Sequence, residues 1–306
     1  MALCLAVAVL PAAPARADDP AGTPPVATPT DLPPIWRVLF ETEVDRRLEV
    51  PPQDQQRYIG LLEAALAEAG LHDLPSQAVL LVDRSEQVQA AFVLVRAPGS
   101  DATPSWHWLG ATPVSTGRVG SFDHFRTPLG VFAHSLANPD FRAEGTFNAN
   151  HIRGYGLRGM RVFDFGWVDA ERGWGPGGSS TMRLQVHATD PANLERRLGR
   201  ADSKGCIRIP ATLNAFIDRH ALLDADYLES AASGATQWVL RTDRLPLPWP
   251  GRYMVIVDSK AAERPDWAPL PSTSPSTSPS TSPARAPTVA ASPPKLAVPC
   301  EADPPP

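Results

Sequence analysis

The sequence predicts a mostly-β domain with a few helices, preceded by a short helical segment. Three observations carry this. Apolar runs of strand length recur from Ala78 onward, separated by turn residues. Before Ala78 the apolar spacing is helical instead. Many of the 35 prolines crowd toward the two ends of the 306-residue chain, which cannot then join a packed core.

The first ten residues are apolar, and Ala15-Arg16-Ala17 is a small-x-small cleavage site before Asp18. Residues 1–17 therefore read as an export signal, too short to span a bilayer, and residues 18–34 as a Pro/Ala-rich linker. The competing reading is a retained membrane anchor followed by that linker. With cleavage no stable membrane span remains, and the expected location is the periplasm or cell envelope.

Residues 35–77 are predicted to be helical. Ile35, Val38, Leu39 and Leu48 suit a helix over 35–50 stopped by Pro51-Pro52. Tyr58, Ile59, Leu61, Leu62, Ala65 and Leu66 lie on one face of a second helix over 53–69, with Gly70 as its C-terminal cap. This pair is expected to pack against the main domain.

That domain is expected over 78–258. Residues 78–82 and 88–95 are apolar runs flanking Asp83-Arg84-Ser85-Glu86, which reads as a hairpin. Further strands are predicted at 106–115, 130–134, 160–168, 182–187, 238–241 and 253–257. Helices are predicted at 191–198 and 211–220. Residues 259–306, with a threefold Pro-Ser-Thr-Ser repeat, are predicted to be a disordered Pro/Ser/Thr-rich tail.

A formal charge of −5 argues against nucleic acid as a partner. The three cysteines are Cys4, Cys206 and Cys300. Cys4 lies in the signal and Cys300 in the tail, so Cys206 is the one cysteine expected in the folded part. In an exported chain it is a candidate nucleophile.

The informative stretch runs from Gln185 to Pro210. His187 ends an apolar strand. Downstream stands Ser203-Lys204-Gly205-Cys206-Ile207-Arg208. A cysteine attacks carbonyls as the thiolate and needs a base, for which His187 is the candidate. Gly205 lets the backbone approach a substrate closely. The Gly205 and Cys206 amides are candidates for an oxyanion hole, and Arg208 offers a planar fork for a carboxylate. His124, His134, His151 and His220 are scattered without a ligand pattern, so neither metal nor cofactor is expected.

These residues carry a resemblance. His187-Ala188-Thr189 followed by the Ser203–Arg208 box resembles the signature of the L,D-transpeptidase (YkuD-like) catalytic domain family. Ser115-Thr116-Gly117 and Thr127-Pro128-Leu129-Gly130-Val131-Phe132 are similar to a further segment of that family. The resemblance covers about residues 78–258 and implies a β-sandwich catalytic domain. It implies that Cys206 attacks the third-residue carbonyl of a peptidoglycan stem tetrapeptide, with release of D-alanine and transfer to an amine. That amine comes from a second stem, a lipoprotein lysine or a D-amino acid. His187 is then the general base. Ser203, Lys204, Gly205 and Arg208 hold the substrate or oxyanion.

The sequence departs from the family pattern in three places. Lys204 stands where histidine is usual. Ala188 follows the catalytic histidine in place of glycine or serine, and its carbonyl is expected to orient the imidazole. The 138–178 stretch is long, and is expected to form either a lid carrying Asn148, His151, Arg153 and Tyr155 or a surface loop. The competing functions are an L,D-carboxypeptidase or wall-protein hydrolase using the same residues, and a non-catalytic wall-binding module.

Overall fold

The computed structural model describes residues 32–98 and 103–270. The expected signal, most of the linker and the Pro-Ser-Thr-Ser repeat lie outside the described residues. The architecture is mostly β, as expected. The elements are α1 (Leu32–Glu43), α2 (Pro52–Glu68), β1 (Gln77–Asp83), β2 (Ala90–Pro98), β3 (Pro104–Pro113), β4 (Phe125–Arg126), β5 (Gly130–Ala133) and β6 (Phe141–Arg142). They continue with β7 (Arg161–Arg172), β8 (Ser179–Ala188), a 3-10 turn (Glu195–Arg197), β9 (Ile207–Ile209), α3 (Ala211–Arg219), α4 (Ala225–Ala232) and β10 (Tyr253–Val257).

Two sheets form. The first has the order β3-β2-β1-β10-β5, with β1 and β10 parallel and the other neighbours antiparallel. The second has the order β4-β7-β8-β9, with β6 also on β7 and β8 parallel to β9. The chain leaves the first sheet after β5, builds most of the second, and returns as β10.

Strand alternation explains the layering. In β1, Ala78, Leu80 and Val82 enter a core shared with Leu184, Val186, Ile207 and Ile209 of the second sheet. Val79 and Leu81 point the other way, into a second core with Tyr58, Leu62 and Leu66 of α2. Because both faces of β1 are covered, it is buried along its whole length and reads as a continuous apolar run.

The helical pair packs on this body. Phe40 of α1 sits against Gly110, where a Cβ would lie 2.0 Å from the ring, and against Phe216 at 5.3 Å between centroids. The first helix ends at Glu43, seven residues short of the expected Val50. Residues beyond it turn extended, and the Leu48 amide donates to the Ala111 carbonyl at 2.9 Å alongside β3. Val50 precedes Pro51, which disfavours helical backbone there. The second helix ends as read: Gly70 has φ +75°, and the Leu71 amide donates to the Leu66 carbonyl at 2.9 Å.

Two expected elements are corrected. Residues 238–241 form a turn rather than a strand, because Val239 and Leu240 pack on Tyr227 of α4 and the Leu240 amide closes on Gln237. Residues 191–198 are turns with one short 3-10 segment. The Asp190 carboxylate there accepts from the Ala192 and Asn193 amides at 3.0 and 3.2 Å. The two-residue strands and α4 have too few residues for a periodic pattern.

Residues 259–270, expected in the tail, are folded onto the body. Trp267 donates from its indole to Asp54 at 2.8 Å and packs beside Tyr58 and Phe92. Arg264 bonds the Pro269 and Glu86 carbonyls at 2.7 and 3.0 Å. A chain ending at Asp258 is expected to be less stable than one ending at Leu270 by about 2 kcal/mol. Urea midpoints test this, and equal midpoints would show the strap adds nothing.

A buried polar cluster adjoins the core shared by the two sheets, where His134 packs on Phe163 and Phe165. The Arg161 side chain is wholly buried and donates to Asp140 at 2.6 Å and, through both terminal nitrogens, to Asp224 at 2.7 and 2.6 Å. His134 faces the Leu223 carbonyl with Nδ1 and Asp140 with Nε2, both at 2.8 Å. Two acceptors on one ring require two ring protons. Burial alone would discharge this ring, but the Asp140 carboxylate outweighs it and raises the His134 pKa.

Candidate functional site

The three segments singled out in the sequence converge on one place. Ser115 exchanges backbone hydrogen bonds with Arg208 at 3.0 and 2.9 Å, and the Asp202 and Ser203 amides both donate to the Thr116 carbonyl. The Thr127 hydroxyl donates to the Gly205 carbonyl and accepts from the Gly117 amide, each at 2.7 Å. One threonine thus ties the turn before Phe125 to the cysteine box. Its signal in the sequence was the family resemblance of the Thr127–Phe132 segment.

Gly205 is required on two counts. Its φ is +138°, and a Cβ would meet Met182 at 2.7 Å and the Phe125 Cβ at 3.2 Å. Its amide donates to the Ser203 hydroxyl at 3.0 Å, and that hydroxyl donates to the Cys206 carbonyl at 2.5 Å. Ser203 therefore holds the turn rather than facing a substrate. The Gly205 amide, expected in an oxyanion hole, is taken up within the turn because the short Ser-Lys-Gly loop folds back on the serine.

His187 and Arg208 are register partners across the parallel β8–β9 pair, so the cysteine box leads directly onto the strand beside the histidine. Val186 and Ile207 point into the core; alternation sends His187 to the other face, under Tyr155. The Tyr155 ring meets His187 edge-on at 4.7 Å, and its hydroxyl donates to Gln185 at 3.1 Å. Gln185 in turn donates to Asp164 at 2.9 Å. Of the expected lid residues, Tyr155 covers the histidine. Arg153 is tied to Asp190 through its amide at 2.9 Å, and Asn148 and His151 close their own turn.

His187 Nδ1 lies 2.8 Å from the Ala188 carbonyl, so that nitrogen donates and Nε2 carries the lone pair. Nε2 is buried and has no hydrogen-bond partner, Cys206 included. Burial, opposed by the Ala188 hydrogen bond and assisted by the Arg208 charge, pushes the His187 pKa down to about 3. The ring is a neutral base held in one tautomer.

Cys206 is buried in the core shared by the sheets, with Sγ 3.4 Å from the Arg183 carbonyl oxygen. It is present as half of a disulfide. The sequence reading set Cys4 and Cys300 aside and expected an unpaired thiol; both lie outside the described residues. Thiol chemistry here starts from the reduced chain. Arg208 is also buried and donates to the Asp202 carbonyl at 2.8 Å, which braces the turn. Lys204 is the more accessible cation, paired with Asp123 at 3.2 Å.

His134, Asp140 and Asp224 bring ligand-type atoms within 4.8 Å of one another. The Arg161 guanidinium already bonds both carboxylates, filling the place of a cation. Among the described residues no helix is long and apolar enough to cross a membrane.

The depressed His187 pKa has a consequence for stability. Between about 3 and the ordinary value of 6.5 the unfolded chain binds a proton that the folded chain does not. The His187 contribution therefore weakens as pH falls through that window and is unaffected above it. His187→Gln is expected to narrow the gap between urea midpoints taken near neutral pH and in mild acid. An unchanged gap would mean the ring is solvated.

Compared with known protein families and curated proteins, the chain matches no family model and no curated sequence.

Proposed function

We propose that this chain, once Cys206 is reduced, is a cysteine acyltransferase of the L,D-transpeptidase type acting on peptidoglycan stem peptides. The observation that carries the reading is His187: a buried, neutral imidazole, tautomer fixed by Ala188, with an unpartnered Nε2 on the strand beside the cysteine box. An unsatisfied buried nitrogen costs about 1–3 kcal/mol and is kept where a proton must be received.

In the proposed cycle the reduced Cys206 side chain turns from the core toward His187, and its thiol gives its proton to Nε2 as sulfur attacks the third-residue carbonyl of a tetrapeptide stem. The tetrahedral adduct collapses, breaking the bond to D-alanine, whose amine leaves with the proton from His187. The acyl group is now a thioester on Cys206. An incoming amine, from a second stem or a lipoprotein lysine, loses its proton to His187 and attacks. The new C–N bond forms, the C–S bond breaks, and the proton returns to sulfur. Lys204 is the cation within reach of a stem carboxylate. Arg208, hydrogen-bonded to the Asp202 carbonyl, positions the turn and adds its charge to the burial that keeps His187 neutral.

The test is mass spectrometry of disaccharide-tetrapeptides incubated with the reduced full chain, the oxidised chain and Cys206→Ala. Release of D-alanine with dimers linked through their third residues, from the reduced chain alone, is the expected result. Tripeptides without dimers would make it a carboxypeptidase. No product from any of the three would sink the reading.

A further inference from the structure

We infer that Phe122 and Trp174 form a saccharide-stacking platform beside the candidate site, which takes a hexopyranose ring of the glycan bearing the stem. The platform is an aromatic ladder leading outward from the cysteine box. The Phe125 amide donates to the Lys204 carbonyl at 2.9 Å, so the ladder begins on the residue next to Gly205. Phe125 meets Trp174 edge-on at 4.9 Å, and Trp174 meets Phe122 at 5.8 Å. Phe122, the outermost ring, is 81% exposed.

That exposure is held rigidly. The Gly120 amide donates to the Gly173 carbonyl and the Gly173 amide to the His124 carbonyl, both at 2.7 Å, and Phe125 pairs with Arg172 in the β4–β7 ladder. Asp123, next to Phe122, takes a left-handed φ of 61°, a backbone state that costs of order 1–3 kcal/mol for a non-glycine residue. A lone exposed ring would be ordinary, but this one continues a three-ring series on a braced turn, which fits a ligand surface.

The surroundings select the ligand. The rim mixes signs: Asp123 paired with Lys204 at 3.2 Å, and the Arg172 guanidinium 5.9 Å from the Trp174 ring centre. A mixed rim offers no surplus of cations for an anionic lipid surface. A pyranose has a flat C–H face for an aromatic ring and hydroxyl and amide groups around its edge for donors and acceptors. The reach also fits. Three extended residues span about 10 Å, and the two ring steps from Phe125 to Phe122 are 4.9 and 5.8 Å. On the function proposed above, a stem held at the cysteine box is long enough to set its sugar-bearing end on Phe122. The reach argument rests on the function proposed above. The rigid exposed rings and mixed rim do not.

The experiment has two arms, both with the reduced full chain. Calorimetry with glycan strands stripped of stem peptides reads the sugar alone. Wild type is expected to bind, and Phe122→Ala and Trp174→Ala to weaken binding about five- to tenfold. The second arm compares kcat/KM for a disaccharide-tetrapeptide and the sugar-free tetrapeptide. The preference for the sugar-bearing substrate, about tenfold in wild type, is expected to vanish in Phe122→Ala while the rate on the sugar-free peptide stays the same. Glycan binding lost in Phe122→Ala, with no turnover of either substrate, would keep the platform and bring down the transpeptidase reading. Turnover without preference, or no binding of stripped glycan by wild type, would overturn the platform. So would Phe122-dependent binding to anionic phospholipid vesicles in place of glycan.

Discussion

Cys206→Ser is expected to lose acyl transfer by about 10⁴-fold or more, and His187→Ala by about 10²–10⁴-fold. A serine hydroxyl in this pocket lacks the acidity that lets a thiol ionise toward a neutral imidazole. Nucleophile and base act as one unit, so the double variant should be no slower than the worse single variant. The measurement is single-turnover release of D-alanine by the reduced chain. Cys206→Ser within tenfold of wild type would remove the nucleophile from its role. Unchanged acylation in His187→Ala would place the base elsewhere. Because Cys206→Ser also deletes a disulfide, the comparison is with reduced wild type, which isolates the chemistry from the cross-link.

Arg161→Met is expected to destabilise the fold by about 3–5 kcal/mol. The guanidinium is wholly buried and bonds Asp140 at 2.6 Å and Asp224 at 2.7 and 2.6 Å. Methionine fills much of the volume but leaves two carboxylates buried against one imidazolium. A loss below about 1 kcal/mol in urea unfolding would mean that water or proton uptake compensates. His134 gives the cluster a pH signature with a definite sign. Its pKa is raised, so its stabilisation is complete below the unfolded value of 6.5 and is lost as pH rises through the folded value. His134→Gln should flatten the alkaline side of the stability curve, opposite to the effect of changing His187.

Much of the fold was legible because strand burial writes itself into short-range patterns. The apolar runs at 78–82 and 88–95 became β1 and β2, and the run at 253–257 became β10. Elements without such a pattern were lost or misread. Residues 238–241 look like a strand, yet fold as a turn because Tyr227 of α4 gives their apolar side chains a place to pack. Trp267 sits in a proline-rich stretch that composition assigns to a tail, and one indole packed beside Tyr58 and Phe92 is enough to fasten it.

The candidate site divides the same way. Residue type and order singled out His187 and the Ser203–Arg208 box, and the family resemblance added the Ser-Thr-Gly and Thr-Pro segments. Side-chain chemistry is local, so its candidates can be named from a string. What each residue does was decided by the fold. Parallel pairing of β8 with β9 puts His187 beside Arg208, the Ala188 carbonyl fixes which nitrogen is basic, and Tyr155 packs edge-on over the ring. Ser203 and Gly205 spend their polar groups on the turn itself. The burial of Arg161 among three aspartates drawn from residues 140 to 224 had no trace in the sequence. Charge balance in a core is a sum over residues far apart along the chain, and only their assembly in space completes it.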